Sequence, residues 1–341
     1  MKNTSTIDDC SPGEQAELFI IAPAFNEAEC IVSFIRAVTQ ACLPLPRKTT
    51  LVVVNDGSSD GTGAAIQHYL DETKEPQIDV TIIDLSKNFG HQSAIHAGLV
   101  YAHSITGKNS CFIIMDADLQ HPPALIPSIL EKLACGFDHV QMVRDDNGKL
   151  DFKSISSKWF YLFFRWISDV DLIPGSSDFR GFNHAFLAAY LKLPESDRFI
   201  RGIFHWLGYN KFIMKYIPGL RYAGKTKYSL IKMMKFALLG ITSFSHKPLL
   251  LFSSISVLFA LGCCISYIAF ELYRLIFLNR AFVLGWLSLF FVVSFFGAII
   301  LCNQLLLALY VSRLFNEQKK RPLYLIKSIH GKNSADEQTV N

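Results

Sequence analysis

Charged residues are scarce in this chain of 341 residues. Asp, Glu, Lys and Arg make up 18% of it, against about 25% in an average soluble protein, while 50% is apolar and the mean hydropathy is +0.27. This composition disfavours a simple soluble globule and excludes a disordered or collagen-like chain. The net charge of +4 is too small to indicate nucleic-acid binding without a clustered basic patch, so we expect no nucleic-acid partner.

Several motifs that mark other activities are absent from the sequence. There is no GxGxxG and no GxxxxGKS, so neither a dinucleotide-binding fingerprint nor a P-loop is supported. The eight cysteines form no CxxC pair, and three of them lie in very apolar sequence. We therefore expect reduced, apolar cysteines in a reducing compartment and no disulfide framework.

Charge is missing altogether from two long runs near the C-terminus, residues 248–270 and 281–312. A helix needs about 20 apolar residues to cross the hydrocarbon core of a bilayer. The runs therefore predict two transmembrane helices. The alternative, a pair of buried helices in a soluble protein, fits uncharged runs of this length poorly.

Lysine and arginine near the two runs predict the orientation of the helices. The connector between the runs contains Arg274 and Arg280. The more numerous basic residues on the outer flanks are Lys225, Lys227, Lys232, Lys235 and Lys247 before the first run and Arg313, Lys319, Lys320, Arg321 and Lys327 after the second. Both termini are therefore expected in the cytoplasm, with a short loop outside.

The N-terminal half alternates between strand and helix patterns. Strand-like runs rich in branched residues are 18–25, 50–55, 80–85, 111–115 and 139–143. The first helical stripe consists of Ile31, Phe34, Ile35 and Val38, and Asn26 is expected to cap that helix. Strand–helix alternation with short connections predicts a mainly parallel, three-layer α/β sheet. Such sheets bind their ligands beyond the carboxyl ends of the strands.

Four polar segments follow the predicted strands. They are Ala22–Glu27, Val54–Thr62, Leu85–Gln92 and Met115–Pro123. In the last of them the spacing of Asp116 and Asp118 puts both carboxylates on one side of an extended segment. Two such oxygen ligands suit Mg²⁺ or Mn²⁺ held jointly with a diphosphate. A solvated acidic turn is the alternative at this position, as a turn with a helix cap is at Asp56.

The four segments, in this order, resemble those of the family 2 glycosyltransferases, which have the GT-A fold, a Rossmann-like and mainly parallel sheet. The likeness is closest to the polyprenol-phosphate branch, which includes dolichol-phosphate mannose synthases and bacterial glucosyltransferases that act on undecaprenyl phosphate. Segments that agree further along the chain are Ser86–Ala94, Asp178–Arg180, Arg201–Gly202, Arg221–Tyr228 and Arg321–Tyr324. The resemblance covers about residues 18–325. The sequence departs from it at His121, where many relatives have Asp, and at Lys225, where Glu is frequent.

The sequence patterns and the resemblance together predict a division of the chain. It consists of an N-terminal tail (1–17), a cytoplasmic GT-A catalytic domain (18–225) with an interfacial amphipathic helix at about 154–168, a juxtamembrane amphipathic helix (226–246), two transmembrane helices (247–313) and a cytoplasmic C-terminal tail (314–341). The protein would be an integral protein of a bacterial inner membrane. Related enzymes suggest a homotetramer by analogy.

The resemblance also implies transfer of a sugar from a nucleotide-sugar to a polyprenyl phosphate, with inversion, at the cytoplasmic face of the bilayer. UDP-glucose is the favoured donor, because the GKTKY segment and the paired C-terminal spans look like those of the bacterial glucosyltransferases. The product would serve as a lipid-linked sugar donor for cell-envelope glycan or glycolipid modification.

The same resemblance assigns roles to individual residues. The expected ligands of Mg²⁺ or Mn²⁺ are Asp116, Asp118 and Gln120. The nucleotide-sugar would be bound by Pro23, Asn26, Glu27, Asp56, Lys87 and Asp116. The acceptor phosphate would be bound by Arg144, Arg201, Arg221 and Lys227. The catalytic residues would be Asp118, Asp178 and Arg180, with Asp178 favoured as a base and orientation of Arg180 as its alternative role.

Two other functions compete with this interpretation. A processive polysaccharide synthase shares the nucleotide-binding half, but it would normally have a Gln-x-x-Arg-Trp motif and more spans than the two found here. A membrane-tethered scaffold could keep the fold without turnover. The presence of both Asp116 and Asp118 favours an enzyme.

Overall fold

The computed structural model describes residues 17–73, 78–107, 109–145, 173, 175–195, 198–219, 247–273, 276 and 286–331. They fall into two units. One is a sheet domain that includes the described residues up to 219 and those after 321, and the other contains two long helices. The amphipathic helices expected at about 154–168 and 226–246 lie outside the described residues, as do Arg221 and Lys227.

The sheet domain is built from eight strands and six α-helices among the described residues. The strands are β1 (Glu17–Ala24), β2 (Thr49–Asn55), β3 (Asp79–Leu85), β4 (Ser110–Ile114), β5 (His139–Arg144), β6 (Ser176–Asn183), β7 (Lys211–Tyr216) and β8 (Ile326–His330). The helices are α1 (Ile31–Cys42), α2 (Thr62–Glu72), α3 (His91–Ile105), α4 (Ile126–Ala134), α5 (His184–Leu191) and α6 (Ile200–Trp206).

The eight strands form one sheet in the order β7-β5-β6-β4-β1-β2-β3-β8. Strand β1 pairs in parallel with β2 and β4, and β2–β3 and β5–β7 are also parallel. The pairs β4–β6, β5–β6 and β3–β8 are antiparallel. The mainly parallel α/β sheet expected from the sequence is therefore confirmed, and the antiparallel pairs make it a mixed sheet.

Both faces of the central strands are covered, which explains why they read as continuous apolar runs. In β2, Leu51 and Val53 lie in one buried cluster with the stripe of α1. Their neighbours Val52 and Val54 face the opposite side and pack against α3. The buried stripe predicted for α1 is thus confirmed. Because β1 to β4 run parallel to one another, their carboxyl ends lie at a common edge of the sheet.

The cap predicted for α1 was wrong. The helix begins at Ile31, and Cys30 before it makes no side-chain capping hydrogen bond. Asn26 instead adopts a positive φ of 56°, and its side-chain oxygen accepts a hydrogen bond from the backbone N–H of Ser59 at 2.9 Å. A contact with the loop after β2 has taken the place of a local cap.

Strand β8 lies within the segment that the sequence assigned to a C-terminal tail. It pairs antiparallel with β3, with Ser328 opposite Asp84, and forms one edge of the sheet. Tyr324, Ile326 and Ile329 pack against the buried cluster under α3. The chain therefore returns to the sheet domain after the long helices.

The second unit contains α7 (Lys247–Tyr273) and α8 (Trp286–Gln318). Within them, Leu249–Phe270 and Val292–Gln318 are long and apolar enough to cross a membrane by length and composition. Polar side chains join the two helices: Ser253 Oγ donates to Asn303 Oδ1, and Asn303 Nδ2 donates to Ser256 Oγ, both at 3.1 Å. The two long apolar helices expected from the uncharged runs are confirmed.

Candidate functional site

The loops after β1 and β2 are fastened to each other at the carboxyl edge of the sheet. The backbone N–H of Asn26 donates to Ser58 Oγ at 3.0 Å, and that of Glu27 donates to Thr62 Oγ1 at 2.9 Å. Asn26 holds its left-handed conformation, which asparagine tolerates better than most residues, because both its backbone and its side chain are bonded to the facing loop. The first two predicted segments thus form one surface.

Asp56 joins the loop after β2 to the loop after β3. Its Oδ1 accepts from the N–H of Phe89 at 2.7 Å and its Oδ2 from the N–H of Gly90 at 2.9 Å. The side chain is buried, and burial raises the pKa of Asp56, although these two hydrogen bonds lower it. Gly57, at a φ of +64°, packs so closely that a Cβ would lie 2.4 Å from the carbonyl carbon of Lys87. Asp56 therefore holds the loop that presents Lys87.

The Asp116–Asp118 segment forms a tight turn after β4. Leu119 has a φ of 62°, a region that costs a branched residue energy, and the N–H of Gln120 donates to Asp118 Oδ1 at 3.0 Å. The N–H of Asp116 donates to Nδ1 of the buried His121 at 2.8 Å. Asp116 Oδ1 is buried and makes no hydrogen bond within the described part of the chain. The turn therefore carries the carboxylates of Asp116 and Asp118, two positions apart, just after the carboxyl end of β4.

The first and fourth segments meet at Cys30. Its Sγ lies 3.1 Å from Glu27 Oε2 and 3.5 Å from the carbonyl oxygen of Ala117. Burial raises the pKa of the Cys30 thiol to about 12, so it stays protonated near neutral pH. This contact brings Glu27 to the Asp116–Asp118 turn.

His91, the first residue of α3, links the turn to β6. Its Nε2 lies 3.5 Å from Asp116 Oδ1 and 3.4 Å from Asp178 Oδ2. Desolvation opposes the charged form, but the hydrogen bond to Asp178 and the charge of Asp116 raise the pKa of His91 to about 9. A cationic His91 between two carboxylates joins the third segment to the fourth.

Asp178 is held in a bidentate pair with Arg201. Arg201 Nε donates to Oδ1 at 2.8 Å and Nη2 donates to Oδ2 at 2.9 Å. Burial alone would raise the pKa of Asp178, but the charge of Arg201 and the hydrogen bonds from His91 and Arg201 hold it well below its usual range. About a third of the Arg201 side chain is exposed, whereas that of Asp178 is buried. The pair therefore presents a cationic face supported by a buried anion.

Arg180 lies beneath this pair and is 1% exposed. Its Nη2 donates to the carbonyl oxygen of Ser177 at 2.7 Å, and its guanidinium carbon lies 5.0 Å from the centre of the Phe204 ring. Burial lowers its pKa to about 10, so it remains a cation near neutral pH. The structure places Arg180 in the interior, at 3.8 Å from Asp178 Oδ1.

The structure brings together most of the residues that the sequence predicted for the site. Contacts among the four segments, or with β6, are made by Asn26, Glu27, Asp56, Asp116 and Asp178. Asp118 and Gln120 form the turn, and Arg201 contacts Asp178. Pro23 is buried at the end of β1, Lys87 is exposed, and Arg144 is exposed at the end of β5.

The sequence did not assign roles to His91 and His121, which contact the acidic turn. His91 lies in the Ser86–Ala94 segment at the start of a helix after a strand, a position that could have marked it as part of the site. The pairing of Asp178 with Arg201 has no comparable signal, because the two residues are 23 positions apart and meet only through the packing of α6 on the sheet.

Comparison with known proteins adds independent information. The family model described as "Glycosyl transferase family 2" matches residues 19–191. The chain is 34% identical over 313 residues to an uncharacterized glycosyltransferase, YkcC, of Bacillus subtilis, covering 92% of this chain and 94% of the relative.

Other relatives have more specific names. A prophage bactoprenol glucosyl transferase homolog of Escherichia coli is 33% identical over 316 residues, covering 92% of this chain and 99% of the relative. A bactoprenol glucosyl transferase of Shigella phage SfII is 32% identical over 318 residues, covering 92% and 98%. With a family model and near-full-length relatives in agreement, and with a GT-A-like sheet, the chain belongs to glycosyl transferase family 2 and is a glycosyltransferase.

Proposed function

We propose that the protein transfers a hexose, with glucose favoured, from a UDP-sugar to a polyprenyl phosphate at the cytoplasmic face of a bacterial inner membrane. The observation that carries this proposal is similarity over 92% of the chain, apolar helices included, to relatives named bactoprenol glucosyl transferase. The sheet edge supplies a suitable arrangement for it: paired carboxylates beside a cationic group, with two membrane-length helices in the same chain.

The acidic turn fits Mg²⁺ or Mn²⁺. Asp116 and Asp118 offer the hard oxygen ligands that these ions prefer, and Asp116 Oδ1 is buried without a hydrogen bond among the described residues. The described residues contain no cluster of three His, Cys, Asp or Glu side chains that could enclose an ion. A site completed by substrate phosphates needs only one or two carboxylates, which is the usual way in which Mg²⁺ binds with nucleotides. We propose Asp116 and Asp118 as ligands, with Gln120 beside them.

The residues around the turn divide into those that bind donor and those that bind acceptor. Asn26, Glu27 and Lys87 lie on the loops that face the nucleotide, and Asp56 fixes those loops. A bound divalent ion would neutralise the charge that grows on the leaving diphosphate. One phosphate oxygen of the lipid attacks the anomeric carbon, the bond from that carbon to the diphosphate breaks, and the nucleoside diphosphate leaves. This single displacement inverts the anomeric centre.

Asp178 acts in this proposal by holding Arg201. A carboxylate whose pKa is held well below its usual range is a weak base, and a lipid phosphate is already anionic, so it needs positioning more than deprotonation. Arg201 presents a partly exposed cationic face for that phosphate, and Arg144 lies exposed at the end of β5. Buried Arg180 supports Asp178 from below.

The test is a transfer assay with the full-length protein in detergent or vesicles. A short polyprenyl phosphate is offered with radiolabelled UDP-glucose, UDP-galactose, UDP-N-acetylglucosamine or GDP-mannose, each with Mg²⁺ or Mn²⁺. We expect label from UDP-glucose in a lipid that releases its sugar in mild acid. Transfer from another donor would correct the sugar, and failure of all the donors with both ions would refute the proposal.

A further inference from the structure

The strand that follows the last long helix contacts a carboxylate next to the nucleotide loops. In β8, Ser328 lies opposite Asp84 of β3, and its Oγ donates to Asp84 Oδ2 at 3.1 Å. The backbone also joins there, since the N–H of Ser86 donates to the carbonyl oxygen of Leu325 at 2.9 Å. A residue 244 positions along the chain is thereby bonded to the end of β3.

Asp84 connects Ser328 to the loop after β2 through Asn55. Its other oxygen, Oδ1, accepts from Asn55 Nδ2 at 2.7 Å, and Asn55 Oδ1 accepts from the N–H of Ser58 at 3.2 Å. Ser58 Oγ in turn accepts from the N–H of Asn26. A continuous series of hydrogen bonds therefore runs from β8 to the two loops that we assign to the nucleotide.

We propose that Ser328 is a positioning residue for the nucleotide site, acting through Asp84 and Asn55 on the loop that contains Asp56. This inference rests on the proposed function, because it assumes that the loop binds the nucleotide of the donor. It gives β8 a part in substrate binding in addition to its part in the fold.

The geometry explains why the hydroxyl matters. A carboxylate that accepts from Ser328 on one oxygen and from Asn55 on the other has its plane fixed by both. His330 Nε2 lies 3.7 Å from the same Oδ2 and offers a competing direction. Without the Ser328 hydroxyl, Asp84 can turn towards His330 and break its hydrogen bond with the Asn55 amide. Asn55 is buried where the loop after β2 begins, so its amide would then lack a partner.

The experiment compares Ser328→Val with Ser328→Thr in the full-length protein. The two side chains have nearly the same shape and both suit a strand, but only threonine keeps the hydroxyl. The dissociation constants of UDP and GDP are measured by titration calorimetry with Mg²⁺, and kcat and KM are measured for donor and acceptor. Ser328→Ala is the second, smaller variant, used if the valine protein does not fold.

We expect Ser328→Val to weaken nucleotide binding and to raise the donor KM roughly three- to tenfold, with kcat and the acceptor KM unchanged. Ser328→Thr should restore the wild-type values. Unchanged nucleotide affinity in the valine or alanine variant would overturn the proposal, and so would a lower melting temperature without a change in affinity. If the wild-type protein bound neither nucleoside diphosphate, the proposed function itself would fail, whereas wild-type binding with an unaffected variant would remove only the role of Ser328.

Discussion

Three carboxylates at one edge of the sheet have different partners, and these partners determine the hydrogen bonding of each and the pKa of Asp56 and Asp178. Asp56 accepts two backbone hydrogen bonds and is buried, which raises its pKa. Asp178 faces Arg201 and His91, and its pKa is held well below the usual range. Asp116 keeps an oxygen without a hydrogen bond among the described residues. One residue type therefore fastens a loop at Asp56, supports a cation at Asp178 and, in the function proposed above, supplies a metal ligand at Asp116.

Asp118→Asn tests the metal assignment. The amide keeps the size of the side chain but lacks the charge that a divalent ion needs, so turnover should fall at least about 100-fold. The measurement is the transfer rate at saturating donor, with the melting temperature recorded to show that the fold is kept. Asp71→Asn, on the exposed face of α2, is the matched control and should have wild-type activity. Substantial turnover by the Asp118 variant would contradict the assignment.

The lowered pKa of His96 makes the stability of the fold depend on pH. It lies on α3, and burial, with the charge of Arg198, lowers its pKa to about 3. In the unfolded chain the pKa of histidine is about 6.5. As pH falls from about 6.5 towards 3, the unfolded state binds a proton that the folded state does not, so stability falls by up to about 1.4 kcal/mol per pH unit for this one group.

His96→Gln should therefore flatten the decline of unfolding free energy with falling pH. The glutamine oxygen can accept from Tyr190, whose hydroxyl lies 3.2 Å from His96 Nδ1, and it does not titrate. The measurement is urea unfolding of the detergent-solubilised protein between pH 7 and about pH 4. His68→Gln, on an exposed position of α2, is the control and should keep the wild-type slope. An equally steep decline in the His96 variant would rule out this explanation.

At the scale of elements, the sequence correctly predicted the features that depend on local periodicity and on the order of the strands along the chain. The buried stripe of α1 and the five strands of the N-terminal half follow from apolar spacing, and the convergence of the four polar segments follows from parallel pairing. It did not predict the partner of Asp178, the left-handed Asn26 or the pairing of β8 with β3, because each depends on residues distant in sequence. A short strand after a long apolar helix has no local pattern that distinguishes it from a tail.

Helix α3 packs close to β1 and β2 at Gly98, and since it begins with His91, this packing sets the position of the His91 side chain in the site. A Cβ on Gly98 would lie 2.6 Å from Cγ2 of Ile21 and 3.0 Å from Cγ2 of Val54. Gly98→Ala should therefore destabilise the domain by about 1–3 kcal/mol and lower its melting temperature by about 5 °C, despite the better helix propensity of alanine.

The same change should lower activity, since a displaced α3 moves His91 away from Asp116 and Asp178. Gly107→Ala is the matched control, because a Cβ there has no heavy atom within 4 Å. Thermal unfolding and transfer rate are measured on both variants. A Gly98 variant as stable and active as the Gly107 variant would show that the helix does not depend on this close contact.

At the scale of the whole molecule, the path of the chain constrains the proposed membrane topology. The chain leaves the sheet domain, passes through α7 and α8, and returns to pair β8 with β3. If the two helices cross the bilayer, both of their outer ends lie on the side of the sheet domain, because strands of one sheet cannot lie on opposite sides of a membrane. The excess of basic residues on the outer flanks predicts that this side is the cytoplasm.

A fluorescent protein fused after Asn341 should therefore fluoresce in the cytoplasm, and an epitope inserted beside Arg280 should be reached by antibody in intact spheroplasts. The same epitope fused to the C-terminus should be reached only after the membrane is permeabilised. Transfer activity is measured on each fusion, so that only proteins with a working site are scored. A C-terminal epitope reached in intact spheroplasts, or a protected connector in an active fusion, would exclude a two-span hairpin with a cytoplasmic sheet domain.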